Sequence, residues 1–238
     1  MMKLFVGLIF IGIIIVIAQP ILPGSVSTID ELVEMNDAER CIKCHEVVAP
    51  TWGKSKHATP LKNIRFLNSL KNSFNETTAV KRRELIRSCF SCHSPYIKDA
   101  SDDLVDHIAG LIIISTDIQD KAYSETAIAE LSALSIDCRV CHMIRGMPEA
   151  EVKPNIIYGT GWDSNEHSHW EDYDFDTVKS DYLLSSDSCK SCHGDCPVNR
   201  SLSNPDKHTK YYAESNADNN NKTCKDCHMR RDHSFTAY

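Results

Sequence analysis

Cys41-Ile42-Lys43-Cys44-His45 repeats its pattern four more times in the 238-residue chain, as Cys89-Phe90-Ser91-Cys92-His93, Cys138-Arg139-Val140-Cys141-His142, Cys189-Lys190-Ser191-Cys192-His193 and Cys224-Lys225-Asp226-Cys227-His228. Ten of the 11 cysteines fall in these runs. C-x-x-C-H is the attachment signature of c-type haem. Its two thiols add across porphyrin vinyl groups as thioethers, and the histidine stands beneath the iron. The sequence therefore predicts five covalently bound haem c groups. Cys41, Cys44, Cys89, Cys92, Cys138, Cys141, Cys189, Cys192, Cys224 and Cys227 would carry them, with His45, His93, His142, His193 and His228 as proximal iron ligands. A zinc reading wants paired C-x-x-C knuckles and gives no reason for a histidine after every pair.

The N-terminus supports the same chemistry. Met1, Met2 and Lys3 precede an apolar run from Leu4 to Ala18 that ends in Val16-Ile17-Ala18, which reads as a secretory signal peptide with its cleavage site. The run falls short of the roughly 20 residues that span a bilayer; left uncleaved, residues 4–18 would associate the chain with the membrane. The expected location is the periplasmic or extracellular side, where covalent haem is attached. The formal charge is −7, and removal of residues 1–18, which hold Lys3 and no acid, takes it to −8. That sign argues against nucleic acid as a partner.

Residues 19–238 hold five haems in 220 residues, or 44 residues per haem. The expected fold is mainly α with extensive loops, a compact or elongated single domain whose core is the haem stack and which has no cofactor-free form. The first cysteines of the motifs are separated by 48, 49, 51 and 35 residues, one haem per excursion of the chain. Helical stretches lead into the first three motifs, at Thr28 to Met35, Glu76 to Arg87 and Thr126 to Leu134, and Thr28 with Glu31 makes a capping box. Ile112-Ile113-Ile114 reads as a buried helix edge. Lys153 to Asp176 and Asn216 to Lys222 read as loops, and no alternating pattern predicts a sheet.

A second protein ligand closes a haem iron for electron transfer, whereas an open position admits substrate. Eleven histidines less five proximal ones leave His57, His107, His167, His169, His208 and His233 as distal candidates, one more than five irons need. His57 and His233 are the first choices. His107 lies on an apolar stretch where an unpaired imidazole is awkward. Of His167 and His169, which flank Ser168, one is expected to ligate and the other to support it. Met147 is a weaker axial candidate, and Met143 and Met229 read as porphyrin packing. Cys196 is the odd thiol, open to burial, an intermolecular disulfide or iron ligation.

CIKCHEVVAPTWGKSKHA, Cys41 to Ala58, resembles the opening of the family that includes the tetrahaem electron acceptor of hydroxylamine oxidoreductase. In that family the tryptophan-to-histidine segment supplies a distal ligand, which implicates His57. Tyr211 to Phe235, with its CHM followed by a histidine, is similar to the wider clan of pentahaem nitrite reductases and hydroxylamine oxidoreductase, which implicates His233. The likeness is thin through residues 94–188. No C-x-x-C-K exists here, so the substrate haem of the nitrite reductases has no counterpart, and neither catalytic identity transfers.

The leading expectation is an electron carrier with no catalytic residue, passing electrons between a membrane or periplasmic donor and an acceptor whose docking surfaces are basic. The alternatives are a small oxidoreductase with one open haem acting on a nitrogen or sulfur compound, with His107 or His169 as acid-base group, and a homo-oligomeric subunit of an extracellular cytochrome filament.

Overall fold

A computed structural model describes residues 25–35, 38–75, 77–117, 119–159, 175–194, 222–229 and 233. The leader at 1–18, His167, His169, His208 and Cys196 lie outside the described residues. The architecture is mainly helical, as expected. Seven α-helices come first: α1 Ile29–Glu34, α2 Glu39–Cys44, α3 Ala49–Gly53, α4 Ile64–Asn72, α5 Ala79–His93, α6 Asp102–Ser115 and α7 Lys121–Ser132. They are followed by a π turn at Val140–Ile144, two short strands, and short helices at Asp181–Leu184, Asp187–His193 and Cys224–His228.

Side-chain caps set where the helices begin. Thr28 and Glu31 form the expected capping box on α1. Asn63 accepts from the amides of Arg65 and Phe66, Thr78 from Lys81, Ser101 from Leu104 and Asp120 from Tyr123. Each such cap contributes about 1 kcal/mol.

The longer helices then bury stripes at i, i+4 spacing: Ile86 and Phe90 on α5, Leu104, Ile108 and Ile112 on α6, Ala127 and Leu131 on α7. Ile112 is buried as expected of a helix edge, while Ile113 and Ile114 are 38 % and 39 % exposed. These stripes, with Leu32, Leu61, Leu67 and Leu134, form one apolar cluster spanning Val26 to Val140. This corrects the expectation that haems alone replace a side-chain core. The described helices between residues 25 and 140 are amphipathic enough to bury one another, at about 1.5–3 kcal/mol per large side chain.

Polar contacts lock α5 against α6. The Arg83 guanidinium reaches Asp106 at 3.0 Å and Asp102 at 2.7 Å, and Arg87 donates to the carbonyls of Ile97 and Ala100 at 3.0 and 2.9 Å. The loop expectation for Lys153 to Asp176 is corrected at its two ends. β1 Ile156–Gly159 pairs in parallel with β2 Asp176–Lys179 in the register Ile156 to Asp176. The pair is too short for alternation to reveal it. No helix among the described residues is long and apolar enough to cross a membrane.

One buried polar pair ties this core to the third motif. The Tyr96 hydroxyl donates to the Asp137 carboxylate, which also accepts from the amides of Arg139 at 2.9 Å and Val140 at 3.2 Å. Asp137 thus caps the turn that carries Cys138 and His142. Burial raises the pKa of both groups. Asp137→Ala should lose the cap and strand the Tyr96 hydroxyl, for a loss of about 2–4 kcal/mol. Urea unfolding of the variant beside Tyr96→Phe, which removes the stranded hydroxyl instead, checks this: Tyr96→Phe should cost less.

Candidate haem-binding cluster

All five motifs lie on helical turns. The second closes α5, the fourth and fifth form Asp187–His193 and Cys224–His228, the first spans the end of α2 with His45 as its C-cap, and the third forms the π turn with its preceding residues. A helical turn is what C-x-x-C-H needs, because residues i, i+3 and i+4 project to one side. None of the ten motif cysteines is tied up in a disulfide, so each is open to thioether formation.

The motifs converge although they are far apart in sequence. The sulfurs of Cys41 and Cys138 are within hydrogen-bond reach of each other, joining motifs one and three. Cys92 and Cys192 are likewise within hydrogen-bond reach of each other, joining two and four. Cys189 lies within electrostatic reach of both Cys141 and Cys224, so motifs three, four and five are also neighbours. The Cys224 amide donates to the Ser186 hydroxyl at 3.0 Å, fastening the fifth motif beside the fourth.

Two imidazole pairs stand out. His57 follows α3, and its Nε2 faces His193 Nε2 at 3.5 Å, with ring centroids 5.8 Å apart. His233 faces His142 with centroids 6.0 Å apart. An iron held between two imidazoles needs two metal–nitrogen bonds of about 2 Å each, and the His57–His193 spacing lies close to their sum. His233 has φ 57°, in the left-handed region, which histidine tolerates better than most residues.

Protonation state agrees with ligation, which needs neutral imidazole. Burial, assisted by the charge of His193, lowers His57 and His93 to about 4. Burial also lowers His142, against an opposing hydrogen bond to the Tyr158 carbonyl. That bond, from Nδ1 at 2.8 Å, leaves Nε2 as the ligating nitrogen. Gly146 is required beside it, because a Cβ there would come within 2.4 Å of Tyr158 Cβ. Phe66 stacks on His93 at 3.9 Å between centroids and 18° between planes, fixing that ring too. The residues present fit haem, which when bound supplies a one-electron iron couple.

Other sequence candidates sit elsewhere. His107 Nε2 lies 2.8 Å from the Glu130 carboxylate, across a cleft also lined by Thr28 and Asp30. The Met147 sulfur accepts from the Ser180 hydroxyl at 3.2 Å. Asp137 could have been found from its place directly before Cys138, a capping position. Phe66, the Tyr158 carbonyl and Arg145, whose Nη donates to the Ser91 carbonyl of the second motif at 2.8 Å, carry no local signal, since each meets its motif only through the fold.

Residues 40–110 match the family described as cytochrome c554 and c-prime. That stretch holds the first two motifs, His57 and His107. No curated protein and no solved structure matches the chain. The chain is a c-type cytochrome with covalently bound haem, similar over residues 40–110 to cytochrome c554 and c-prime.

Proposed function

We propose that the chain is an exported five-haem cytochrome that carries electrons between redox proteins, through haems packed closely and closed by two histidines each. The observation that carries this reading is the His57–His193 pair, an imidazole 136 residues away in sequence brought to face a motif histidine. We assign His57 as distal ligand of the fourth haem and His233 as distal ligand of the third. The contacts among motifs support a path in which one, three, four and two are successive neighbours and five joins at four. The clan resemblance at the two ends of the chain supports the same ligands.

His107, engaged by Glu130, leaves five spare histidines for five irons. Complete closure therefore requires His167 and His169 both to ligate, on different irons, rather than one of the two. The acidic chain favours basic partners on the periplasmic or extracellular side, and its association rates should fall as ionic strength rises.

Electron paramagnetic resonance of the oxidised protein, with carbon monoxide added to the reduced form, tests the reading. Five low-spin haems that ignore the gas are expected. A high-spin haem that binds carbon monoxide would overturn the carrier reading and point to chemistry at that iron.

A further inference from the structure

Behind the helix of the second motif lies a cavity of about 450 Å³, lined by Arg87, Ser91, Ile97, Lys98, Ile144 and Arg145 among others. Within α5, Arg87 and Ser91 are four residues apart and fall on the opposite side of the helix from Cys89 and His93, while Ser91 Oγ lies 3.8 Å from Cys92 Sγ and Arg145 is within electrostatic reach of Cys92 and Cys192, so the cavity borders the second and fourth motifs. Among the described residues lining it, three cations meet one acid, Glu149 on the exposed rim, in a chain where acids outnumber bases 33 to 26.

The three cations are not equivalent. Arg87 is already committed to two carbonyls and to Asp102 at 3.1 Å. Arg145 donates from one Nη to the Ser91 carbonyl at 2.8 Å, but its Nε is buried without a hydrogen-bond partner. A buried charged donor left unmade is costly, and a carboxylate is the group that best satisfies an arginine edge. Lys98 is exposed at the rim and can close over the same anion. The floor is apolar, with Ile97 2 % exposed and Ile144 partly buried. A cavity of this size with an apolar floor and convergent polar groups suits a small ligand.

We propose that this cavity is a carboxylate site, with Arg145 Nε as its principal donor and Lys98 as its closing cation. The carboxylate comes either from a haem propionate of the same chain or from a free small carboxylic acid. Only the first source rests on the haem reading above, so failure of that reading leaves the second testable.

The experiment uses the haem-loaded protein and sodium propionate as probe. Calorimetric titration is run on the wild type, Arg145→Gln, Arg145→Lys and Lys98→Gln, beside resonance Raman spectra of the propionate-bending bands and a redox titration. One-to-one binding of propionate by the wild type, lost in Arg145→Gln and weakened severalfold in Lys98→Gln, identifies a free-acid site. No binding, with a shifted propionate band in Arg145→Gln and about a tenfold fall in the reduced-to-oxidised ratio of one haem, about 59 mV for one electron, identifies a haem propionate; Arg145→Lys should restore most of that potential. Absence of propionate binding together with unchanged propionate bands in Arg145→Gln overturns the proposal, whatever the potentials do. Should Arg145→Gln fail to fold, Lys98→Gln on the exposed rim decides on the same readouts.

Discussion

His57→Ala is expected to convert one haem per chain from low-spin to high-spin and to let the reduced protein bind one equivalent of carbon monoxide. His57 Nε2 faces His193 Nε2 at 3.5 Å, and burial keeps the His57 ring neutral, with its pKa lowered to about 4. On the proposed pairing, removing that ring would leave the fourth haem with a single protein ligand, because the side chain of alanine cannot coordinate. The backbone contact survives, since the Ile136 amide donates at 3.2 Å to the His57 carbonyl rather than to its ring. Added imidazole should restore the low-spin signal. His107→Ala is the control, because the His107 ring faces Glu130 at 2.8 Å and should leave the spectrum unchanged. An unchanged spectrum in His57→Ala, or a high-spin signal in His107→Ala, would remove the assigned pairing.

Phe90→Ala should be the most destabilising single change among the core positions, by about 3–5 kcal/mol. Phe90 occupies the first variable position of the second motif and is fully buried, at 0 % exposure, in the cluster formed with Ile86 and the stripe of α6. Its loss opens a cavity in the helix that carries Cys89, Cys92 and His93, so haem attachment at that motif should fall along with stability. Against a total stability of about 5–15 kcal/mol for a typical domain, the effect is large. It is read as a drop in urea midpoint with the slope unchanged. Val80→Ala on the same helix, 61 % exposed, should change the midpoint by less than about 0.5 kcal/mol. A near-neutral Phe90→Ala would mean that the haems, not the apolar cluster, hold this half together.

That last contrast separates what was legible from what was not. The five C-x-x-C-H runs and the helical turns that carry them could be read from spacing alone, because each runs over five consecutive residues. The caps at Thr28 and the helical approach into Cys89 were legible for the same reason, being contacts within one turn. The apolar cluster was missed because counting residues per haem ignores how α4 to α7 distribute their apolar positions. The parallel pair at Ile156–Gly159 and Asp176–Lys179 was missed because four-residue strands show no usable period.

The distal side divides in the same way. The sequence alone supplied six spare histidines and favoured His57 and His233, but it held no information on which motif each would meet. The fold placed His57 against His193 and His233 against His142, and it set His107 on Glu130. By itself the sequence determined the local geometry of each C-x-x-C-H run, since its two thiols and imidazole lie within one helical turn. Only the tertiary structure decided the pairing of imidazoles, the neighbours among motifs and the unsatisfied Arg145, because each brings together groups tens of residues apart and depends on packing that no local pattern encodes.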